Sequence, residues 1–71
     1  MNKWYYFNKN TDINGYHEIH SEDCKYLPDY DNRELIGFCK DCKEAINKAQ
    51  NEYSYKKFDG CFYCSTDCHK W

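Results

Sequence analysis

Two short fragments of the sequence carry cysteine and histidine at spacings typical of metal ligands. Three residues separate His20 from Cys24, and two residues separate Cys61 from Cys64. Structural Zn²⁺ sites use four such ligands in a tetrahedron. A two-residue spacing lets one tight turn direct both thiolates at one ion, and Gly60 gives that turn backbone freedom. The sequence therefore predicts one structural zinc ion bound by His20, Cys24, Cys61 and Cys64.

The chain needs a cross-link of this kind because it has little with which to build a core. It contains no valine, and its 41% of apolar residues are largely aromatic. Ordering the chain costs on the order of 100 kcal/mol, at about 1.5 kcal/mol per residue. A structural zinc ion contributes roughly 10–16 kcal/mol. The branched aliphatic residues available to offset the remainder are Ile13, Ile19, Leu27, Leu35, Ile36 and Ile46.

Composition and charge exclude several classes of protein. The longest apolar run near the start, residues 4–7, is too short for a signal peptide or a membrane span. We therefore expect a cytoplasmic protein with no membrane contact, in which the cysteines are metal ligands or redox groups rather than disulfides. A net charge of −2 provides no basic field for nucleic acid, and 20% aromatic residues argue against disorder. We predict a single zinc-binding domain over residues 1–71.

The pattern of elements predicts an α+β fold. Residues 4–7 and 15–20 are predicted to pair as an antiparallel hairpin, because Asn14-Gly15 is a strong turn signal between them. Residues 35–38 are a third short strand, and the main helix is predicted at about 41–53, with a capping pair at its start. Residues 53–58 are a linker or short strand, and Asp59-Gly60 is a turn into a C-terminal zinc knuckle followed by a short terminal helix after Ser65.

Strand geometry separates the two histidines of the second strand. His17 and His20 are three positions apart, so their side chains lie on opposite faces of the sheet. Only one of them can enter a site built on one face, and we assign His17 to the surface or to the surroundings of the site. His-Glu-x-His at 17–20 is also one residue short of the zinc-protease spacing. No other catalytic motif is present in the sequence, and we expect a protein that is not an enzyme.

The remaining cysteines leave alternatives open. Cys68 either replaces His20 as a ligand or packs beside the zinc site as a free thiol. Cys39 and Cys42 form a C-x2-C at a helix start, where redox chemistry is possible. Cys42 also begins the apolar stripe of the helix, and Cys39 ends a strand. A second metal bound by Cys39, Cys42, Cys68 and His69 is a further alternative, and buried reduced cysteines with an exposed His20 would need no metal at all.

The chain resembles the small zinc-binding domain of the Ada DNA-repair protein over roughly residues 20–64. His20-x3-Cys24 matches its first ligand pair, residues 38–45 match its strand-to-helix passage, and Cys61-x2-Cys64 matches its closing pair. The whole chain is also similar to small bacterial and phage proteins that end in G-C-x2-C-x3-C-H, as residues 60–69 do here. The resemblance implies a zinc domain and, as one function, contact with DNA.

Two departures bear on the activity that the Ada domain implies. That domain has cysteine where this chain has His20, and it transfers a methyl group from DNA to a zinc-bound thiolate. The chain lacks the basic run before the closing pair, where Lys56 and Lys57 are the only cations. Methyl transfer to Cys24 and thiol redox activity are therefore less favoured than a structural role for the zinc.

The eight tyrosines suggest a binding function. Tyrosine is enriched in protein interfaces, and the leading hypothesis is a non-enzymatic module that binds a protein partner. The alternative for the tyrosines is that they fill the core in place of aliphatic residues. The alternative for the function is nucleic-acid binding through Lys56, Lys57 and exposed aromatic rings.

Overall fold

A mixed four-stranded sheet with one helix forms the protein, which a computed structural model describes over residues 1–70. The strands lie in the order β3-β1-β2-β4, and the predicted α+β class is confirmed. The elements are β1 (Lys3–Asn8), β2 (His17–Ser21), β3 (Arg33–Cys39), α1 (Cys42–Glu52) and β4 (Phe58–Gly60), with 3₁₀ turns at Tyr30–Asn32 and Thr66–Cys68. In residues 1–70, no helix is long and apolar enough to cross a bilayer.

The predicted N-terminal hairpin is confirmed. Strands β1 and β2 are antiparallel, with Tyr6 opposite His20. The carboxylate of Asp12 accepts hydrogen bonds of 2.9 Å from the amides of Asn14 and Tyr16, and Gly15 takes a φ of +85°. The turn therefore uses the residues that signalled it: a side-chain oxygen that mimics a backbone acceptor, and a glycine in the left-handed region.

The predicted main helix is confirmed within one residue at each end. The Oδ1 atom of Asp41 accepts from the amide of Glu44 at 2.9 Å, and the Glu44 carboxylate accepts from the amide of Lys40 at 2.8 Å. The first bond satisfies an amide that the helix leaves unpaired at its start, and the second fixes the residue before the cap. The helix then buries its apolar stripe against the sheet, with Cys42 at its first position.

Strand β4 corrects the prediction for Asp59 and Gly60, which we expected to form a turn. Both residues lie in β4, which pairs in parallel with β2 and places Gly60 opposite Ile19. The amide of Cys61 extends this pairing by donating to the carbonyl of Ile19 at 3.0 Å. Three residues are too few to show a strand periodicity, and Asp-Gly is a common turn pair. The parallel pairing brings Cys61 beside the end of β2.

The core between the sheet and α1 is as small as the composition suggests. Of the six branched aliphatic residues, only Ile19 and Ile36 belong to the fully buried core, and Ile13 is completely exposed. Aromatic rings, alanines and cysteines fill most of the remaining space. The core cluster consists of Tyr5, Phe7, Ile19, Ile36, Cys39, Cys42, Ala45, Ala49, Phe58 and Cys68.

His17 is buried against this core, and its assignment to the surface is wrong. Its ring lies 5.5 Å from that of Phe7 and 5.8 Å from that of Phe58, and its Nδ1 atom donates to the carbonyl of Asn8 at 2.8 Å. His17 and Ile19 are two positions apart on β2, so strand alternation places both side chains on the face of the sheet that packs on the core. Because β2 is an interior strand, it has neighbouring strands on both sides.

Candidate metal centre

The four side chains predicted as ligands lie together at one end of β2. One donor atom from each of His20, Cys24, Cys61 and Cys64 lies within 4.8 Å of the others. His20 belongs to β2, and a turn closed by the Cys24 amide on the Ser21 carbonyl brings Cys24 back to the strand end. Strand β4 delivers the C-x2-C pair beside it. In residues 1–70, this is the one group of three or more such side chains that could hold a metal ion.

The distances between donor atoms match a tetrahedral site. Zinc–sulfur bonds near 2.3 Å place two thiolates about 3.8 Å apart at the tetrahedral angle. The sulfurs of Cys24 and Cys61 are 3.9 Å apart. No donor pair exceeds 4.8 Å, so small side-chain adjustments are enough to bring all four atoms to one ion.

A bound metal ion would account for the burial of His20. Its side chain is 1% exposed, and neither ring nitrogen has a hydrogen-bond partner. The nearest carboxylate oxygen, on Glu18, lies 3.7 Å from Nε2, which is too far for a hydrogen bond. A buried polar group without a partner costs about 1–3 kcal/mol. Coordination to a metal would satisfy one of the two nitrogens.

Backbone amides surround the sulfur atoms. The amides of Tyr26, Tyr63 and Ser21 donate to the sulfurs of Cys24, Cys61 and Cys64, respectively, and each of these N···S distances is 3.4 Å. Such donors stabilise the negative charge of a thiolate, which is the form that binds a metal. The backbone is thus arranged for three thiolates in one place, a concentration of negative charge that a divalent cation would offset in large part.

The thiols of the cluster divide into one acidic group and two weakly acidic ones. Burial raises the pKa of Cys24 to about 12, and it also raises the pKa of Cys61. Burial acts in the same direction on Cys64, but the His20 ring, the Ser65 hydroxyl and the Ser21 amide outweigh it and lower the pKa of Cys64 to about 6. Near neutral pH the metal-free cluster therefore holds one thiolate and two thiols.

We predict that zinc binding releases protons from these two thiols. At pH 7.5 the release is expected to be about two protons per ion, because Cys24 and Cys61 must ionise while Cys64 already has. Below the pKa of Cys64 the number rises towards three, so affinity falls as the pH falls. Calorimetric titration of the protein with Zn²⁺ in buffers of different ionisation enthalpy gives this number. A release of no protons at pH 7.5 would contradict the assignment of these thiols as ligands.

The expectation that no cysteine forms a disulfide is wrong for two of the six. Cys42 and Cys68 are joined by a disulfide bond across 26 positions of sequence. Cys68 therefore neither replaces His20 nor packs beside the site as a free thiol. The pairing was missed because Cys42 had a sufficient explanation in the apolar stripe of α1. The same bond excludes the alternative in which both residues bind a second metal in this state.

Cys39 and His69 complete the list of candidate ligands. Cys39 is a buried free thiol at the end of β3, and burial together with Glu44 and Asp41 raises its pKa, against the weak opposing effect of Lys48. A thiol held protonated in this way is a poor redox nucleophile. His69 lies outside the metal centre, and its Nδ1 atom is 2.9 Å from the carbonyl oxygen of Gly60.

Asp59 is a residue of this region that sequence reasoning missed. Its side chain is 1% exposed, Oδ1 accepts from the amide of Lys70 at 2.8 Å, and Oδ2 lies 3.4 Å from His69 Nδ1. It therefore fastens the C-terminal tail against β4, directly before Gly60 and Cys61. The Asp-Gly pair suggested an exposed turn, and no local pattern indicated that the carboxylate was buried.

Comparisons of the chain with protein-family models, with curated proteins and with solved structures gave no match. The resemblance to the Ada zinc domain therefore stays a prediction from the residues themselves.

Proposed function

We propose that the protein is a zinc-stabilised binding module without catalytic activity, and that its partner is a protein. The observation that carries this proposal is that the loops holding the metal ligands also hold exposed aromatic residues. Tyr26 follows Cys24 by two positions, and Phe62 and Tyr63 lie between Cys61 and Cys64. We refer to Tyr26, Phe62 and Tyr63 as the aromatic surface.

The three rings of the aromatic surface are open to solvent, and Tyr63 contacts each of the other two. The Tyr26 and Tyr63 rings are 4.5 Å apart, and the Phe62 and Tyr63 rings are 5.1 Å apart. Their exposed fractions are 47%, 56% and 63% for Tyr26, Phe62 and Tyr63. Adjacent exposed apolar rings mark interaction sites more often than scattered ones do. Rigid aromatic residues are also the commonest anchors of protein interfaces.

The metal has a structural role in this proposal. His20, Cys24, Cys61 and Cys64 supply all four positions of a tetrahedral ion, which leaves none for a water molecule or a substrate. The ion fixes the two loops relative to each other, so the rings they carry are ordered before a partner arrives. This preorganisation lowers the entropy lost on binding.

The charges near the aromatic surface favour a protein over a nucleic acid. Lys3 forms a 2.9 Å ion pair with Asp23, and the ammonium of Lys25 lies 5.2 Å from the centre of the Tyr26 ring. One cation is thus balanced and the other is associated with an aromatic face. Binding of a phosphate backbone depends on several unbalanced cations.

The partner proposal is tested by comparing photo-crosslinked captures from cell extract with matched baits. The test bait carries Phe62→Ser and Tyr63→Ser. The control bait carries Tyr30→Ser and Tyr55→Ser, which remove two even more exposed rings outside the aromatic surface. We expect the wild type and the control to capture the same protein, the test bait to lose at least nine-tenths of it, and nuclease to have no effect. Equal capture by all three baits would contradict the proposal.

Nucleic-acid binding is the second candidate, and one observation favours it. Lys56 and Lys57 directly follow Tyr55, which is 79% exposed, and the Lys56 ammonium lies 5.4 Å from the Tyr55 ring centre. An exposed ring beside a cation suits stacking on a single-stranded base. Anisotropy with a labelled single-stranded DNA tests it: binding should weaken steeply with added salt, and Lys56→Ala with Lys57→Ala should abolish it.

A further inference from the structure

The Cys42–Cys68 disulfide and the metal centre hold the same short stretch of chain, which we call the knuckle segment (residues 61–68). Cys61 and Cys64 at its start belong to the metal centre, and Cys68 at its end is bonded to the first residue of α1. From this we propose that the disulfide controls metal retention: the oxidised protein binds zinc tightly, and reduction by a low-molecular-weight thiol weakens that binding. This inference rests on the proposed zinc site.

Hydrogen bonds connect the two cross-links within the knuckle segment. The amide of Ser65 donates to the carbonyl of Cys61, and the amide of Cys68 donates to the carbonyl of Ser65, both at 2.9 Å. The hydroxyl of Ser65 lies 3.5 Å from the sulfur of Cys64, and the residue is 3% exposed. A displacement of Cys68 is therefore passed through Ser65 to both metal-ligand cysteines.

The segment is also packed closely on β4. A methyl group at Gly60 would meet the carbonyl oxygen of Ser65 at 2.5 Å and the Cβ atom of Cys68 at 2.7 Å. Cys68 thus lies directly against the residue that precedes the ligand Cys61. In the oxidised state the disulfide connects α1 to the knuckle segment, which in turn packs on β4. Loss of the disulfide frees the C-terminal end of the knuckle segment from α1.

The disulfide is buried, but each of its cysteines borders a surface cavity. Cys42 and Cys68 are 6% and 8% exposed. Cys68 lines a cavity of about 370 Å³ whose charged side chains are Lys43, Lys70 and Asp67, a net positive set that suits an anionic thiol such as glutathione. Cys42 and Cys64 line a second cavity of about 330 Å³, which joins the disulfide to a metal ligand. A thiol in the first cavity reaches the sulfur of Cys68 through a local opening of the knuckle segment.

The exchange reaction balances with two equivalents of thiol. The first thiolate attacks the sulfur of Cys68, the disulfide breaks, and Cys42 leaves as a thiolate at the N-terminus of α1, where the helix dipole stabilises it. A second thiolate attacks the external sulfur of the mixed disulfide and releases Cys68 as a thiolate. The products are the external disulfide and two protein thiolates, which take protons from water. The reverse reaction uses the same external disulfide as oxidant.

The coupling acts in both directions. If the disulfide raises zinc affinity, bound zinc must resist reduction of the disulfide by the same factor. The disulfide is joined to a metal ligand by a short hydrogen-bonded stretch of chain, so a change in its redox state acts directly on the metal centre.

The test compares zinc affinity with and without the disulfide, measured by competition with a fluorescent chelator. Oxidised wild type is compared with the double variant Cys42→Ser and Cys68→Ser, and Cys39→Ser serves as the matched control. We expect the double variant to bind one Zn²⁺ per chain with affinity about 5- to 150-fold weaker, and the control to match the wild type. Equal zinc affinity of the wild type and the double variant would overturn the proposed coupling but leave the proposed zinc site in place. Absence of zinc from all three would overturn the proposed zinc site as well.

A second measurement covers the case in which the double variant does not fold. Zinc-loaded wild type is equilibrated with glutathione and glutathione disulfide at graded ratios in the presence of the chelator. We expect zinc release to follow the fraction of Cys42 and Cys68 that alkylation detects as thiols. Zinc release that is complete while the disulfide is intact, or absent when it is fully reduced, contradicts the proposal.

Discussion

Replacement of Cys61 by serine is expected to unfold the protein. Cys61 is 1% exposed and joins the C-terminal segment to the end of β2, and a serine hydroxyl is a poor zinc ligand. A structural zinc ion contributes roughly 10–16 kcal/mol, which is comparable to the whole stability of a small domain. Loss of most of that contribution leaves a core of few aliphatic residues. Circular dichroism and one-dimensional proton NMR should show an unfolded chain with no bound zinc.

The matched control for this prediction is Cys39→Ser. Cys39 is as deeply buried, at 2% exposed, but it lies at the end of β3 and outside the metal centre. Burying a hydroxyl there costs about 1–3 kcal/mol, which should lower the melting temperature while leaving a folded, zinc-loaded protein. If Cys61→Ser lost no more stability than Cys39→Ser, the metal would not be holding the fold together.

Replacement of Gly60 by alanine is the second change with a large expected effect. The added methyl group would lie 2.5 Å from the backbone oxygen of Ser65, and backbone atoms cannot move aside as a flexible side chain can. Overpacking costs typically about 1–3 kcal/mol, and here the displaced turn also carries Cys61 and Cys64. We therefore expect both a loss of stability and at least tenfold weaker zinc binding.

Gly15→Ala is the control for the glycine variant. Gly15 has a φ of +85°, so alanine there costs about 1–2 kcal/mol in backbone strain, but its methyl group would meet nothing within 4 Å. Stability should fall while zinc affinity, measured by chelator competition, stays unchanged. Weaker zinc binding in both variants to the same degree would mean that general destabilisation, and not the contact with the knuckle segment, sets the affinity.

The sequence predicted the elements whose signals are local. The hairpin turn at Asn14-Gly15 and the start of α1 at Asp41 each depend on residues within four positions of one another, and both are confirmed. The grouping of His20, Cys24, Cys61 and Cys64 was also predictable from two ligand pairs of metal-site spacing, whereas the similar spacing of Cys39 and Cys42 does not mark a metal site. The apolar stripe in the helix sequence also predicted correctly which face of α1 is buried.

Features that depend on distant residues were not predictable in this way. The parallel pairing of β4 with β2 follows from the path of the chain through α1, and a three-residue strand has no pattern of its own. The Cys42–Cys68 disulfide spans 26 positions, and each cysteine had another explanation nearby. His17 was misassigned because its burial depends on β2 being an interior strand, which only the position of β4 determines.

The tyrosines divide between the core and the surface. Tyr5 lies in the core, and Tyr53 packs against it from a half-buried position. Tyr26, Tyr30, Tyr55 and Tyr63 are exposed. Composition alone could not divide the tyrosines between these roles, because the division depends on which face of each strand or loop the sheet and helix cover. The exposed rings beside the metal centre are the ones on which the partner proposal depends.

The most direct test of the account is removal of the metal from the oxidised, zinc-loaded protein. The sample is treated with EDTA, and its proton–nitrogen correlation spectrum is recorded before treatment, after it, and after zinc is restored. We expect one zinc ion per chain by native mass spectrometry before treatment, collapse of the dispersed amide signals after chelation, and their return with zinc. A spectrum that stays dispersed and unchanged when the metal is gone would contradict the claim that a metal ion holds this fold together.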